Sequence, residues 1–256
     1  MACNANFKSP LEQTLTGSLL EAVRHFWFEH MVDDEHFVVP DKEDAGPWFS
    51  QTDAFDAACS SKFRDPLLAI MSTNASAADI IEASKPKSPL DWVSLIVLLD
   101  QIPRNCFRGA DAGIAYDFFD PRALGTALQA IKAGVPEHFQ VRYRQGYRFW
   151  FYMPLEHSER IDMQEMAAME HEKMFTDSRK LIDGLIDAED TDGLYYRDIL
   201  PRRRKQFETW VGILRGMDEQ HKGLLDRFGR FPRRNPALGR QSTQEEREYL
   251  RGMKGY

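Results

Sequence analysis

The chain has 256 residues, 43% of them hydrophobic and 29% charged, and a formal net charge of −7. This length is enough for one large domain or two small ones with a sizeable core. The acidic balance argues against general nucleic-acid binding, which needs a basic face, and the longest apolar run is far too short to span a bilayer.

The first half of the chain shows helical spacing of apolar residues. Leu11 to Met31 repeats them at intervals of three and four, which predicts a helix. Val32 to Pro47 is polar and broken by proline and glycine, so we expect a loop. A second helix is predicted over Asp53 to Met71, with Pro66 ending or kinking it. Ala75 to Ala83 is predicted to form a short helix.

A clear helix start opens the middle of the chain at Ser88–Asp91. Ser88 is the predicted N-cap residue, and Pro89 occupies the first turn. The carboxylate of Asp91 lies near the positive end of the helix dipole, where a negative charge is favourable. The apolar run Trp92 to Leu99 follows. The helix is expected to stop or bend near Ile102, because Pro103 disfavours helical geometry in the residue before it.

Further helices are predicted in the second half. Asp120–Pro121 repeats the cap and proline, and its helix runs to Gly134. An aromatic helix is expected over Pro136 to Tyr152 and a long amphipathic one over Ile161 to Ile186. Tyr195 to Phe228 reads as mostly helix, divided near Gly216, and a short last helix ends at about Leu250.

No stretch alternates apolar and polar residues with the β-branched content of a strand. We therefore predict an all-α chain, a single domain over residues 1–256, with roughly eight to ten helices.

The cysteines and the start of the chain bear on compartment. Cys3, Cys59 and Cys106 are widely spaced and form neither a disulfide framework nor a CxxC zinc pattern. Residues 1–5 show no basic region followed by an apolar run, so we expect no signal peptide. We expect a cytoplasmic protein that binds neither nucleic acid nor a membrane.

The most informative stretch is Leu98–Gly109, where the apolar helix runs into polar side chains around one proline. Burying such groups unpaired costs several kcal/mol each, so they must find partners or line a cavity. Two later stretches, Pro154–Glu159 and Arg227–Asn235, offer acids, an imidazole and arginines. The three segments together predict a polar pocket.

Arginine forks match carboxylates and phosphates, so the pocket is expected to bind an anionic small molecule. The residues assigned to the ligand are Gln101, Arg104, Asn105, Arg108, Glu159, Arg230, Arg234 and Asn235. His157, oriented by Glu156 or Asp100, is the candidate acid–base group for metal-free proton transfer or hydrolysis. The sequence names no cofactor, and whether the chain is an enzyme stays open.

Two alternatives compete with the pocket. The polar residues could instead form a structural ion-pair network between helices, and Glu156 and Glu159 could be acids at the start of a helix, although the set as a whole favours the pocket. Metal binding has weak support: Asp33 with His36 and Asp218 with His221 have ligand-like spacing, but there is no HExxH or paired ExxH motif. We therefore assign no metal.

The motifs described above resemble those of a known protein family. Leu98–Asn105 with Phe107–Gly109, Pro154–Glu159, and Arg227–Pro232 with Arg234–Asn235 resemble domain-of-unknown-function family 924 (DUF924), found in bacteria and fungi. Gly239–Arg240, Ser242–Thr243, Glu245–Glu246, Trp48–Phe49 and Phe55–Asp56 fit its remaining landmarks. The similarity covers about residues 26–250. The charged region Asp183 to Lys205 departs from the family and would be a surface particular to this member.

The resemblance implies a helical fold akin to the tetratricopeptide-like superfamily and no established activity, so it assigns no catalytic residue. It also raises a second hypothesis, a scaffold that binds a protein or peptide in a concave groove, with the polar motifs as structural staples. A homo-oligomer is compatible with either hypothesis.

Overall fold

A computed structural model describes residues 9–185 and 190–253, and helices account for its regular structure. In the first half these are α1 (Pro10–Thr14), α2 (Gly17–Phe28), α3 (Asp34–Val38), α4 (Lys42–Phe49), α5 (Asp53–Thr73), α6 (Ala77–Ser84), α7 (Pro89–Asp100), α8 (Ile102–Cys106) and α9 (Asp120–Lys132). In the second half they are α10 (Gln145–Arg148), α11 (Met153–Glu156), α12 (Ile161–Ile182), α13 (Gly193–Tyr196), α14 (Ile199–Arg202), α15 (Arg204–Phe228) and α16 (Gln244–Met253).

Tighter and wider turns link these helices. Single 3₁₀ turns lie at Gly109–Asp111, Val135–Glu137, Phe149–Phe151 and Pro232–Arg234, and a π-helical segment spans Ile114–Phe119. The prediction of a single all-α domain is confirmed over the described residues. The number of helices exceeds the eight to ten predicted, because seven of the sixteen have only four or five residues and carry no periodicity that a sequence reveals.

The prediction of a loop over Val32 to Pro47 is wrong. Helices α3 and α4 occupy this stretch because aspartates cap both of them: the Asp33 carboxylate accepts the amide of His36 at 3.1 Å, and Asp44 reaches back to the Asp41 amide at 2.7 Å. Pro47 is tolerated in the second half of α4.

Helix α5 continues through Pro66 to Thr73 instead of ending there. Its apolar face, which includes Cys59, Phe63 and Leu67, is at most 1% exposed. The free energy gained by burying that face offsets the loss of the backbone hydrogen bond that the proline cannot make.

The aromatic segment is not the single helix predicted over Pro136 to Tyr152. It breaks into a 3₁₀ turn, α10 and a second 3₁₀ turn, and α11 follows it. Phe149, Trp150, Phe151 and Tyr152 are consecutive and each at most 1% exposed, so no side of the backbone faces water. A surface helix exposes one face to solvent, whereas the backbone of this stretch passes through the core with its side chains buried on every side.

Later boundaries are closer to expectation. Helix α12 ends at Ile182, and Ile186, the end predicted for it, lies outside the described residues. Residues 186–189 of the charged region 183–205 also lie outside them. Helix α15 continues without interruption through Gly216.

The core is built around α7, which packs against α2 and α9. Val93 and every residue from Leu95 to Leu99 are 0% exposed, so the helix is buried on all sides. Asp100, at the carboxyl end of this helix, therefore lies in the interior of the protein. Within the described ranges, no helix is long and apolar enough to cross a membrane.

The carboxy-terminal segment, residues 229–253, packs closely against the start of the π-helical segment. A Cβ added to Gly113 would overlap the carbonyl oxygen of Ala237, which is backbone and cannot move aside cheaply.

We expect Gly113→Ala to lower the free energy of unfolding by about 1–3 kcal/mol, as overpacking does. Gly212→Ala is the matched control, because Gly212 lies within α15 with nothing within 4 Å of an added Cβ. It should leave stability unchanged or raise it by about 0.5–1 kcal/mol. Urea denaturation of both variants measures the difference, and equal stabilities would contradict the close approach.

Candidate functional site

The site begins at Asp100, where the buried helix α7 ends. This carboxylate is 1% exposed and contacts three side chains. Gln101 Nε2 donates to Oδ2 at 2.5 Å, the Arg104 guanidinium lies 3.4 Å from Oδ1, and His157 Nδ1 lies 2.8 Å from the same oxygen. Burial raises the pKa of Asp100, but the charges around it outweigh that effect and hold the pKa well below its usual range.

The contact with Asp100 determines the state of His157. A carboxylate only accepts hydrogen bonds, so Nδ1 carries the proton and Nε2 of the neutral ring is left with a lone pair. Burial lowers the pKa of His157, the charge of Arg104 lowers it further, and Asp100 opposes both. His157 is therefore neutral near pH 7, in the form that accepts a proton.

A second carboxylate joins two arginines. Asp120, the first residue of α9, accepts from Arg104 at 2.6 Å, and Arg234 Nη1 lies 3.0 Å from its other oxygen. Burial raises the pKa of Asp120, and the two guanidinium groups oppose that rise. Arg234 also donates to the carbonyl oxygen of His157 at 2.8 Å. The three motifs of the sequence thus meet around Asp120 and His157.

A second carboxylate–imidazole pair lies beside the first. Glu156, at the end of α11, is 0% exposed, and its Oε2 lies 2.7 Å from Nδ1 of His221 on α15. The rings of His157 and His221 are 6.4 Å apart, centroid to centroid, at 70°. Each ring therefore has Nδ1 held by a buried carboxylate, and Nε2 of neither has a hydrogen-bond partner among the described residues.

The turn that carries Glu156 and His157 is held by one buried amide. Helix α11 ends after one turn and leaves carbonyl groups unpaired. Gln164, 3% exposed on α12, donates to the carbonyl oxygens of Leu155, Glu156 and Ser158 at 2.8 to 3.2 Å. This contact fixes the direction in which the two side chains leave the backbone.

Behind Glu156 lies a third imidazole. His171 is fully buried; its Nδ1 is 3.0 Å from Asp218, and its Nε2 is 3.8 Å from Glu156 Oε1. Burial lowers the pKa of His171, but Asp218 and Glu156 outweigh that effect and raise it. A protonated His171 would thus offset part of the buried charge of Glu156.

Two groups offer donor atoms that would suit a divalent cation. Glu156, His171 and Asp218 place one ligand atom each within 4.8 Å of one another, and so do His36, Asp41 and Asp44. Of the pairs singled out in the sequence, Asp33 contacts His36 at 2.7 Å, whereas Asp218 contacts His171 rather than His221. These histidine–carboxylate contacts are accounted for by helix capping and ion pairing, so the absence of a metal stays a prediction.

A pocket of about 300 Å³ opens next to both carboxylate–imidazole pairs. Its polar lining is Arg104, His157, Gln220, His221, Arg233 and Arg234, and its remaining lining is Tyr116, Leu224, Phe231, Pro232 and Tyr249. The Arg234 guanidinium lies between two of these rings, 4.7 Å from the centroid of Tyr116 and 4.9 Å from that of Phe231. Such stacking fixes the plane of the guanidinium fork. The volume is at the lower end of small-molecule sites.

Not every residue assigned to the site from the sequence reaches the pocket. Arg104, His157 and Arg234 line it, and Asp100, Gln101 and Glu156 lie directly behind it. The others pair elsewhere. Arg108 forms two 2.8 Å bonds with Asp56 and also contacts Asn105.

The remaining assigned residues fasten the carboxy-terminal segment. Arg230 and Asn235 both bind Glu246, which is 1% exposed. Glu159 binds Arg240 at 2.7 Å and accepts the amide of Phe231 at 2.9 Å.

Sequence reasoning missed four contributors. His221 was noted only for its spacing from Asp218, and Asp120 only as a helix start. Arg233 lay within the third predicted motif but was not assigned to the ligand, and nothing local shows that Tyr116 faces a pocket formed by distant segments. Cys106, inside the central motif, is 6% exposed, and burial raises the pKa of its thiol, which keeps it protonated and packed.

Comparison with known proteins identifies the family. A structure of a protein of unknown function, ATU0120 from Agrobacterium tumefaciens, is similar at 29% identity and a TM-score of 0.56, covering 91% of this chain and 97% of that one. No curated protein matches the chain. The family model described as "Bacterial protein of unknown function (DUF924)" matches residues 23–254, so the chain belongs to the DUF924 family.

Proposed function

We propose that the pocket binds a small anionic molecule and that His157 serves there as an acid–base group. One observation carries this proposal: guanidinium groups and an imidazole held by a buried carboxylate line the same pocket. Arginine forks recognise carboxylates and phosphates in a bidentate way, and a histidine with a lowered pKa is a suitable base near pH 7.

The charges of the site favour an anion. Arg104 and Arg234 share Asp120, while Asp100 is shared between Arg104 and His157. Arg233 lines the pocket and is exposed, and none of the described residues forms a hydrogen bond or an ion pair with its side chain. Three guanidinium groups line the pocket, whereas no carboxylate is among its lining residues, so the surface that a ligand would meet carries positive charge.

One buried donor supports the same conclusion. Nε of Arg104 is buried and has no hydrogen-bond partner among residues 9–185 and 190–253. Burying an unsatisfied donor costs about 1–3 kcal/mol, more when it is charged. An oxygen of a bound anion, or a water that it displaces, would satisfy this N–H.

The second proposal is a scaffold that binds a protein or peptide partner, with the tetratricopeptide-like arrangement that the family resemblance implies. The pairing of Arg108 with Asp56 and of Arg230 with Glu246 favours a structural role for part of the motifs. A peptide bound in a groove elsewhere would leave small anions without effect on stability, so the two proposals differ in a measurable way.

We expect inorganic phosphate to raise the Tm of the protein, because a ligand that binds only the native state stabilises it. At ten times its Kd, phosphate would add about 1.4 kcal/mol and raise the Tm by roughly 3–6 °C. Arg233→Ala and Arg104→Gln should reduce this rise. The Arg233 side chain has no hydrogen bond or ion pair with any residue that the structure describes, so its removal should not disturb the fold itself.

Arg108→Ala is the matched control. Arg108 comes from the same motif but binds Asp56 outside the pocket, so its removal should lower the Tm without changing the rise caused by phosphate. An equal rise in all four proteins, or none in the wild type, would contradict the anion site. The readout is differential scanning fluorimetry at constant ionic strength.

We expect the pKa of His157 to lie below the ordinary histidine value of 6.5. Asp100→Asn should lower it further, because the carboxylate stabilises the imidazolium, whereas Arg104→Gln should raise it by removing a nearby positive charge. NMR titration of the ring proton, assigned with His157→Ala, measures all three values. A pKa above 6.5 in the wild type would contradict the role of His157 as a base near neutral pH.

A further inference from the structure

The two carboxylate–imidazole pairs share one arrangement although they come from different parts of the chain. Asp100 of α7 holds His157 at 2.8 Å, and Glu156 of α11 holds His221 of α15 at 2.7 Å. In both, Nδ1 is the held nitrogen and the ring lines the pocket. A carboxylate at Nδ1 fixes the tautomer, orients the ring and stabilises the charge that the ring acquires when Nε2 takes a proton.

The second pair is costly to build, which argues against an incidental contact. Glu156 is 0% exposed, and a buried carboxylate without partners strongly destabilises a fold. Its partners are two imidazoles, His221 at 2.7 Å and His171 at 3.8 Å, rather than an arginine or lysine. A salt bridge to arginine would offset the charge equally well but could not exchange a proton.

The environment of His221 completes the argument. His221 faces Glu156 on one side, and its ring contacts Phe231 edge to face at 5.6 Å and His157 at 6.4 Å. Its side chain is 25% exposed, so part of the ring is open to solvent at the pocket. The arginines line that pocket next to both rings.

From this juxtaposition we infer that the pocket hydrolyses phosphate esters, with His157 as general base and His221 as general acid. The inference rests on the proposed anion-binding function and names its substrate class and reaction. Glu156 and Asp100 are positioning residues, since each acts through the ring that it holds. Arg104, Arg233 and Arg234 would hold the phosphoryl oxygens.

The reaction balances with water as its only co-reactant. Neutral His157 takes a proton from water through Nε2 while the water oxygen forms a bond to phosphorus. The bond between phosphorus and the ester oxygen breaks, and the imidazolium of His221 gives its Nε2 proton to that oxygen, which leaves as an alcohol. Inorganic phosphate, or a monoester from a diester, is released, and both rings return to their starting states by exchanging protons with solvent.

A phosphate ester fits the pocket better than a carboxylate ester. A tetrahedral phosphoryl group already carries the negative charge that several guanidinium groups complement. Attack and departure occur on opposite sides of the phosphorus, which suits two imidazoles that face one pocket from different helices. The aromatic and aliphatic lining formed by Phe231, Tyr249 and Leu224 gives the alcohol portion an apolar surface.

The test compares leaving groups. p-Nitrophenolate leaves without a proton, whereas an alkoxide needs one, so only the alkyl ester depends on a general acid. We expect the wild type to hydrolyse both p-nitrophenyl phosphate and glycerol 2-phosphate. His221→Ala and His221→Asn should lower kcat for the alkyl ester about 100-fold or more and for the aryl ester less than tenfold, since general acid catalysis contributes about 10²–10⁴-fold.

His157→Ala should slow both esters to a similar degree, because both need the base. Glu156→Gln should reproduce the selective loss of alkyl ester hydrolysis, and a residue that only maintained the fold would not change the ratio of the two rates. His25→Ala is the control: His25 is exposed on α2 and does not line the pocket. Bis(p-nitrophenyl) phosphate, assayed in parallel, distinguishes diesters from monoesters.

Failures of the two proposals differ. Phosphate that raises the Tm of a wild type that hydrolyses none of these esters would overturn the hydrolase and leave the anion site standing. Equal losses for alkyl and aryl esters in the His221 variants would overturn the role of His221 as the acid. Absence of any effect of phosphate on the Tm would overturn both proposals.

Discussion

The burial of the Asp100 charge is the constraint on which this structure depends. Helix α7 is apolar on all sides, and its last residue is a carboxylate 1% exposed in the core. Such a charge is tolerated only when other groups compensate for it. Gln101, Arg104 and His157 do so, and Arg104 in turn requires Asp120, which requires Arg234. One buried charge thus ties the central helix to α9, to the turn after α11 and to the carboxy-terminal segment.

The polar motifs divide by what their residues do. One set meets at the pocket, while a second set fastens the segment that forms its wall. Arg230 with Glu246 and Glu159 with Arg240 hold that segment against the helical body, and Gly113 lets its backbone approach closely. Phe231 and Arg234 are placed by these contacts rather than by their own sequence neighbours. Because the motif residues fall into these two sets, the chain shows evidence both for a pocket and for a structural network of ion pairs.

The pocket combines two features that hold its side chains in place. Its two imidazole rings are held by buried carboxylates at Nδ1, and the Arg234 guanidinium is stacked against aromatic faces. Both arrangements restrict side chains whose freedom would cost conformational entropy on binding. Sites prepared in this way bind and stabilise charge without reorganising at the moment of reaction.

The sequence by itself determined the all-α class, the buried central helix and the three polar motifs, because these follow from local periodicity, capping residues and the cost of burying charge. The spacing of Leu95 to Leu99 and the Ser88–Pro89 cap required no knowledge of distant residues. Only the tertiary structure decided which motif residues meet. His221 lies 65 residues from Glu156, and Asp120 lies 16 residues from Arg104, so neither contact has a local signal. The short helices within residues 33–49 and 136–156 likewise follow from caps and all-round burial rather than from periodicity. The site forms only when packing brings distant chain segments together, and the contacts between those segments cannot be recognised from local patterns in a single sequence.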